Sequence, residues 1–292
     1  MNQEPAIQAL GVSYTYQEGT RALSNVNFWV DSGEFVAMLA SNGSGKTTLI
    51  KVLVGLLEPQ DGTVNINGHH IGKFSRKDLC RHIGLVLQNP VDQLFAATVD
   101  EDVAYGPRNL GLSSEEVNER VSESLQSVAA SDLRWRPIHH LSFGEQKRVS
   151  MAGVLAMRPS TLILDEPTAG LDPAGEAMMM RLLNRLNREK GITVILATHS
   201  VDLLPLFADR IYVLRHGKVL KQGPADQIFC DHQMIEHACL RLPYVADLLH
   251  KMKEYDGVPI NGLPLTLGEA RMRLLELIPE NLITKQAEVK FQ

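Results

Sequence analysis

Short apolar runs recur along this chain, each leading into small or polar residues and then into a segment of helical spacing. Phe35-Val36-Ala37-Met38-Leu39, Gly84-Leu85-Val86-Leu87, Thr161-Leu162-Ile163-Leu164 and Thr193-Val194-Ile195-Leu196-Ala197-Thr198 have strand length and almost no polar interruption. That is the pattern of strands covered on both faces in a parallel sheet. Residues 6 to 30 alternate loosely instead and hold Tyr14, Tyr16, Phe28 and Trp29, which predicts two antiparallel strands joined by a turn at Gln17-Glu18-Gly19-Thr20. Asp61-Gly62 and Asn67-Gly68 bracket Thr63-Val64-Asn65-Ile66, a further short strand of the same β layer.

Helical spacing appears in four places. Leu49 to Leu57 reads as a helix stopped by Pro59. From Asn89 to His140 the texture is helical, and Ser113-Ser114-Glu115-Glu116 opens an amphipathic segment with Val117, Val121, Leu125 and Val128 on one face. Ser142 and Glu145 have capping-box spacing ahead of a helix to about Met157. Thr266 and Glu269 repeat that spacing, with Leu267, Ala270, Leu274, Leu275 and Ile278 on one face before Pro279. The whole predicts an α/β fold with a mostly parallel core sheet, an antiparallel β layer, an inserted helical subdomain and a small helical C-terminal appendage.

The chemistry begins where the first buried run meets the first helix, at Ala40-Ser41-Asn42-Gly43-Ser44-Gly45-Lys46-Thr47-Thr48. Strand, small-residue loop and helix in that order is the context of a phosphate-binding loop. Its backbone N–H groups and the positive end of the helix dipole can both face an anion. Lys46 adds a mobile cation for the terminal phosphates, and the Thr47 hydroxyl can hold Mg²⁺. Ala40 stands where the motif expects glycine, which is harmless at negative φ and costly at positive φ.

Other buried runs end on polar groups of their own: Gln88, the pair Asp165-Glu166, and His199. Adjacent carboxylates at a buried strand end are expensive unless a cation or a reaction needs them. Asp165 suits Mg²⁺ through its water shell, and Glu166 suits polarising a water against a γ-phosphate. Ligands of open parallel sheets bind beyond the carboxyl ends of the strands, so these groups converge on one rim. Three features have a plain reading beside the functional one. Tyr16 is either an adenine-stacking platform or a half-buried strand aromatic. Ser142 and Gly144 are either a second anion site or simply a capped helix start. Asn89 to Phe95 is either a partner-touching loop or plain surface.

Residues 6 to about 223 resemble an ATP-binding-cassette ATPase, carrying Tyr16, Walker A (Ala40 to Thr48), the glutamine loop (Gln88), the signature (Leu141 to Glu145), Walker B (Leu162 to Glu166), the D-loop (Ala169 to Asp172) and the switch histidine (His199) in family order. Gln88-Asn89-Pro90, Asp92-Gln93-Leu94-Phe95 and Asp102-Val103-Ala104-Tyr105-Gly106-Pro107 resemble the energy-coupling-factor importers, and Leu240-Arg241-Leu242-Pro243 resembles their cobalt and nickel members most. The resemblance implies a head-to-tail dimer, of two identical or two different ATPase subunits, with ATP and Mg²⁺ between Walker A of one and Ser142, Phe143, Gly144 and Glu145 of the other. It implies Glu166 as general base, His199 as γ-phosphate sensor, Thr47, Gln88 and Asp165 around Mg²⁺, and Gln88 as the link to a membrane partner. Implied partners are an integral membrane coupling subunit and a substrate-binding membrane subunit, on the cytoplasmic face of the cell membrane. Phe143 and Glu145 replace the family's glycine and glutamine, and Glu145 brings negative charge near a polyanion, which is expected to weaken closure. The expected division is 1–223 for the nucleotide-binding domain, with 89–158 as its helical subdomain, and 224–292 for an appendage making dimer contacts.

Bulk properties narrow the alternatives. A 44% hydrophobic, 22% charged chain of 292 residues is globular, and a net charge of −5 argues against a nucleic-acid partner. No apolar run approaches the ~18 residues of a membrane span, and residues 1 to 17 lack a signal-peptide pattern. Cys80, Cys230 and Cys239 suit a reducing cytosol. Cys230, His232, His237 and Cys239 lie close in sequence, yet i, i+2 pairs fall on different sides of a helix, against a metal cluster. A vitamin as cargo, a non-transport relative acting on nucleic acid, and a regulatory module of low turnover remain as alternatives.

Overall fold

The apolar runs become strands of two stacked sheets in the computed structural model, which describes residues 4–279. The chain starts with the hairpin β1 (Ile7–Thr15) and β2 (Arg21–Val30), closed as expected over Gln17 to Thr20, where the N–H of Tyr16 donates to the carbonyl of Thr20 at 2.9 Å. Next come the strand β3 (Phe35–Ala40), the helix α1 (Lys46–Leu53), and the strands β4 (Asp61–Ile66) and β5 (His69–His70). The antiparallel sheet has the order β2-β1-β4-β5.

After α2 (Arg76–His82) and β6 (Ile83–Val86), the helices α3 (Val99–Asn109), α4 (Ser114–Ser127) and α5 (Phe143–Leu155) form the inserted layer. Val117, Val121, Leu125 and Val128 are all buried, as their spacing requires. The chain then alternates through β7 (Thr161–Asp165), α6 (Pro173–Lys190), β8 (Thr193–Thr198), α7 (Leu204–Phe207), β9 (Arg210–Arg215) and β10 (Lys218–Gly223). The core sheet has the order β10-β9-β3-β8-β7-β6, parallel throughout except for β10 against β9.

β3 lies mid-sheet with all six residues buried. Phe35, Ala37 and Leu39 face the helices, and Val36, Met38 and Ala40 face α1 and the antiparallel sheet. Each fully buried aliphatic side chain contributes roughly 1.5–3 kcal/mol, so both faces of the strand are anchored and the loop leaving it has a rigid base.

The first helix departs from its sequence expectation at both ends. It begins at Lys46 rather than Leu49 and ends at Leu53 rather than Leu57. The stop is Gly55 (φ 71°), whose N–H donates to Val52 at 3.1 Å while that of Leu56 donates to Lys51 at 2.8 Å. This paired closure satisfies the last carbonyls before Pro59 is reached.

The C-terminal part holds α8 (Ala225–Phe229), α9 (His232–His237), α10 (Tyr244–Asp256) and α11 (Leu267–Leu277). Ile228, Phe229, Ile235, Ala238, Leu242 and Ala246 join the main core, whereas Leu249, Ile260 and Ala270 form a small cluster of their own. The Thr266/Glu269 capping box is made, but Leu267 and Ile278 of its expected apolar face are exposed, because α10 covers only the Ala270 and Leu274 side. Arg241 forks onto the Asp202 carboxylate, which also accepts the N–H of Tyr244 at 2.9 Å. Among the described residues no three His, Cys, Asp or Glu side chains gather around a common point, and His232 instead stacks on His250 with ring centroids 3.9 Å apart. None of the described helices is long and apolar enough to cross a membrane.

Candidate functional site

Ala40 closes β3 with its side chain fully buried and is not among the residues of positive φ, so alanine there carries no strain. Gly43 (φ 74°) and Gly45 (φ 97°) then turn the chain, and Gly45 caps α1 without any side chain occupying the helix start. The loop of Ser41, Asn42, Gly43 and Ser44 thus leaves the first-turn N–H groups of α1 free to face an anion. The buried Ser44 hydroxyl has no hydrogen-bond partner. A Cβ on Gly45 would lie 2.5 Å from the Ala22 carbonyl oxygen. Gly45→Ala therefore has to move backbone, and it is expected to weaken ATP binding at least tenfold and to lower the melting temperature; calorimetry and nucleotide titration read both, and wild-type ATP affinity would refute it.

Beyond the loop, β3, β8 and β7 lie side by side and bring their C-terminal residues together. The Lys46 ammonium is ion-paired with the Glu166 carboxylate, both side chains nearly buried. The His199 ring lies 3.0 Å from the other Glu166 oxygen through Nδ1. Thr47 donates its hydroxyl proton to Asp165 Oδ2 at 3.2 Å, and Tyr16 and Thr48 share a hydrogen bond between hydroxyls at 3.0 Å. Burial acts to raise the Glu166 carboxyl, but the hydrogen bonds and charges of Lys46 and His199 outweigh it and hold the group below the usual carboxylate range. Asp165 goes the other way: burial raises it, offset in part by Lys46. Its Oδ1 is buried with no donor. A desolvated carboxylate oxygen of that kind, beside a threonine hydroxyl, fits a hard divalent cation such as Mg²⁺.

Glu166 adopts φ 49°, a left-handed conformation that costs a non-glycine residue roughly 1–2 kcal/mol. Its N–H donates to Ala197 at 2.8 Å, and its carbonyl accepts from the N–H of Ala169 at 3.1 Å and from Lys147 Nζ at 3.1 Å. Lys147 Nζ also donates to the Pro167 carbonyl at 2.9 Å. Burial pushes the Lys147 ammonium down to about 8, opposed by the Glu166 charge. No motif of the sequence marks Lys147. The available signal was its place on the inward stripe of α5 with Met151 and Val154, where an apolar residue is the norm.

Ser142 caps α5, and Glu145 returns the bond to the Ser142 N–H at 2.7 Å. That N–H and the Ser142 hydroxyl hold Glu145 below the usual carboxylate range, and Arg136 sits 3.3 Å from its other oxygen. Much of the charge expected to disturb a polyanion is therefore met locally. The Phe143 ring lies over Lys147 Nζ at 5.2 Å and beside Gly170, where an added Cβ would come within 2.9 Å of it, while a Cβ on Gly144 would meet Leu171 at 3.6 Å. Asp172 caps α6, accepting from the N–H of Gly175 at 2.7 Å.

The structure so brings Tyr16, Lys46, Thr47, Thr48, Asp165, Glu166 and His199 into one contiguous set. Gln88 leaves the end of β6, beside β7, exposed and with no hydrogen bond to that set among the described residues. Ser142 and Gly144 make none either among the described residues; Ser142 is engaged by Glu145 in the capping box. In the following loop Leu94 is buried while Phe95 is exposed and packs edge-on against Tyr105, ring centroids 4.7 Å apart.

A family profile described as ABC transporter matches residues 23–169. The chain is 46% identical over 277 residues to an energy-coupling factor transporter ATP-binding protein, EcfA, of Methanocaldococcus jannaschii, covering 94% of this chain and 98% of that one. It is similar to the structure of cbiO1 from Clostridium perfringens, described as part of the ABC transporter complex cbiONQ, with a TM-score of 0.74, 40% identity, and coverage of 85% of this chain and all of that one. A dimeric ATP-binding cassette in a post-hydrolysis state bound to ADP and Pi is also similar, at a TM-score of 0.68 and 30% identity over 75% of this chain and 98% of that one.

Proposed function

This chain belongs to the ABC transporter family of ATPases, and from that premise we propose that it drives import of cobalt or nickel ions as one subunit of an energy-coupling-factor assembly. It is an ATPase, the ATP-binding motor subunit of a transporter of this type. One observation carries the reading of its site. Lys46, Thr47, Asp165, Glu166 and His199 meet at the ends of adjacent strands, around the free N–H groups of a helix start.

In this reading the P-loop amides of Ser41 to Thr48 cradle the phosphates, and the Tyr16 ring, tethered through its hydroxyl to Thr48, stacks on adenine. Lys46 turns from Glu166 toward the terminal phosphates, and the released Glu166 accepts the proton of the attacking water. His199 then reads the γ-phosphate. Thr47, Asp165 and Gln88 would hold Mg²⁺, which supplies neutralising charge at the phosphates. Ser142, Phe143, Gly144 and Glu145 of a second ATPase subunit complete the site in trans, and Asp172 fixes the D-loop between the two. The capped helix start of α5, whose Ser142 and Gly144 make no hydrogen bond to the P-loop group among the described residues, and the dimeric similar cassette support this.

Gln88 and the exposed Phe95–Tyr105 pair face an integral membrane coupling subunit, which in turn carries a substrate-binding membrane subunit. The motor sits peripherally on the cytoplasmic face of the membrane. Residues 1–223 carry its nucleotide-binding machinery, with 89–158 as the helical subdomain, and 224–292 are an appendage seated in the main core through Phe229 and Ala246, whose exposed Leu267 and Ile278 serve dimer contacts. The cobalt or nickel cargo rests on Leu240-Arg241-Leu242-Pro243. Purification of the tagged chain from membranes, with mass spectrometry of what accompanies it, tests the assembly. Integral membrane subunits are expected; elution with nucleic acid and no membrane protein overturns transport.

A further inference from the structure

Lys147 is 3% exposed, yet no carboxylate lies within hydrogen-bonding distance of its ammonium among the described residues; it donates to two main-chain carbonyls, those of Glu166 and Pro167, at 3.1 and 2.9 Å. Burying an ammonium on carbonyl oxygens alone is costly, and here the bonds fall on a backbone in an unfavourable conformation. That backbone is the left-handed turn at Glu166, φ 49°. With the Ala169 N–H on the same oxygen, both lone pairs of the Glu166 carbonyl are engaged, so the peptide plane following Glu166 cannot rotate without breaking two bonds. The Phe143 ring closes the outer side of the ammonium at 5.2 Å and packs on Gly170.

We propose that Lys147 is a positioning residue for ATP hydrolysis: under the Phe143 ring, it clamps the Glu166 and Pro167 carbonyls and so aims the Glu166 carboxylate. It ties the start of the signature helix to the general base within one chain, and it gives the phenylalanine at position 143 a purpose beyond bulk. Displacing a reacting group by about 1 Å can cost on the order of 10²-fold in rate, which sets the scale expected here. The inference rests on Glu166 acting as the base, and the test separates the two.

The full-length chain is assayed in the complex that co-purifies with it, for kcat, KM and affinity for fluorescent ATP. Lys147→Met is expected to lower kcat about 10- to 100-fold with ATP affinity within threefold of wild type. Lys147→Arg, which can still donate to both carbonyls, is expected to recover most of that loss. In the Glu166→Gln background, Lys147→Met should add less than threefold. Should Lys147→Met not fold, Lys147→Gln, an uncharged donor, is expected to show at least a tenfold fall in kcat at unchanged KM. Wild-type kcat in these variants, equal loss of ATP affinity and kcat, or losses that multiply with Glu166→Gln overturn the proposal. Unchanged hydrolysis in Glu166→Gln alone instead removes the base on which it rests.

Discussion

Glu166→Gln is expected to cut steady-state phosphate release about 10²- to 10⁴-fold while ATP still binds. The amide keeps the shape of the side chain and can keep its contact with His199, but it cannot take a proton from water. The structure adds a second expectation. Glu166 is paired with the Lys46 ammonium, so a triphosphate that takes the lysine has to displace a carboxylate. Glutamine is a weaker competitor, because a neutral acceptor loses the charge-assisted part of the bond. ATP affinity in Glu166→Gln should therefore equal or exceed that of wild type. Single-turnover hydrolysis alongside an equilibrium ATP titration measures both halves. Wild-type turnover would take Glu166 out of the chemistry, and a large loss of affinity would make its role structural.

Lys46→Met is expected to show two effects of different origin. Without the ammonium, charge-assisted bonds to the terminal phosphates are lost, each worth about 1.5–3 kcal/mol, so ATP affinity should fall roughly 10- to 100-fold or more. In the absence of nucleotide the variant should also be less stable. It leaves the Glu166 carboxylate nearly buried, with His199 as its remaining side-chain partner. Removing one partner of a buried pair costs about 3–5 kcal/mol; with His199 still in contact, the low end applies. The double variant Lys46→Met/Glu166→Gln leaves neither charge stranded and should regain most of that stability, though not ATP binding. Thermal melts with and without ATP distinguish the effects. A single variant melting at the wild-type temperature in the absence of nucleotide would show that the pair does not form in solution.

The site was legible in sequence because its parts are each short and lie at strand ends. Continuous apolar runs at Phe35–Leu39, Thr161–Leu164 and Thr193–Thr198 gave the buried strands, and a parallel sheet places their following residues on one rim. Capping boxes at Ser142/Glu145 and Thr266/Glu269 were equally readable, since both their hydrogen bonds lie within four residues. What escaped depended on contacts distant in sequence or on backbone geometry. The stop at Gly55 was masked by the more conspicuous Pro59. No motif marks Lys147, whose ammonium reaches the Glu166 carbonyl, 19 residues away, only once α5 has packed. The capping role of Glu145 was readable, but not the cation beside it, because Arg136 lies outside the span of any capping rule. The exposure of Leu267 and Ile278 was likewise unreadable, because periodicity marks an apolar face without saying what covers it.

The grip of Arg241 on Asp202 sets where this chain can be shortened. Severing it after Gly223 would open a greasy trench where Ile228, Phe229, Ile235 and Ala246 now lie. It would also strip the guanidinium from a carboxylate three positions beyond His199. The smallest autonomous fragment is accordingly expected to extend past Ala246, and trimming at the last strand to lower solubility by baring that apolar surface.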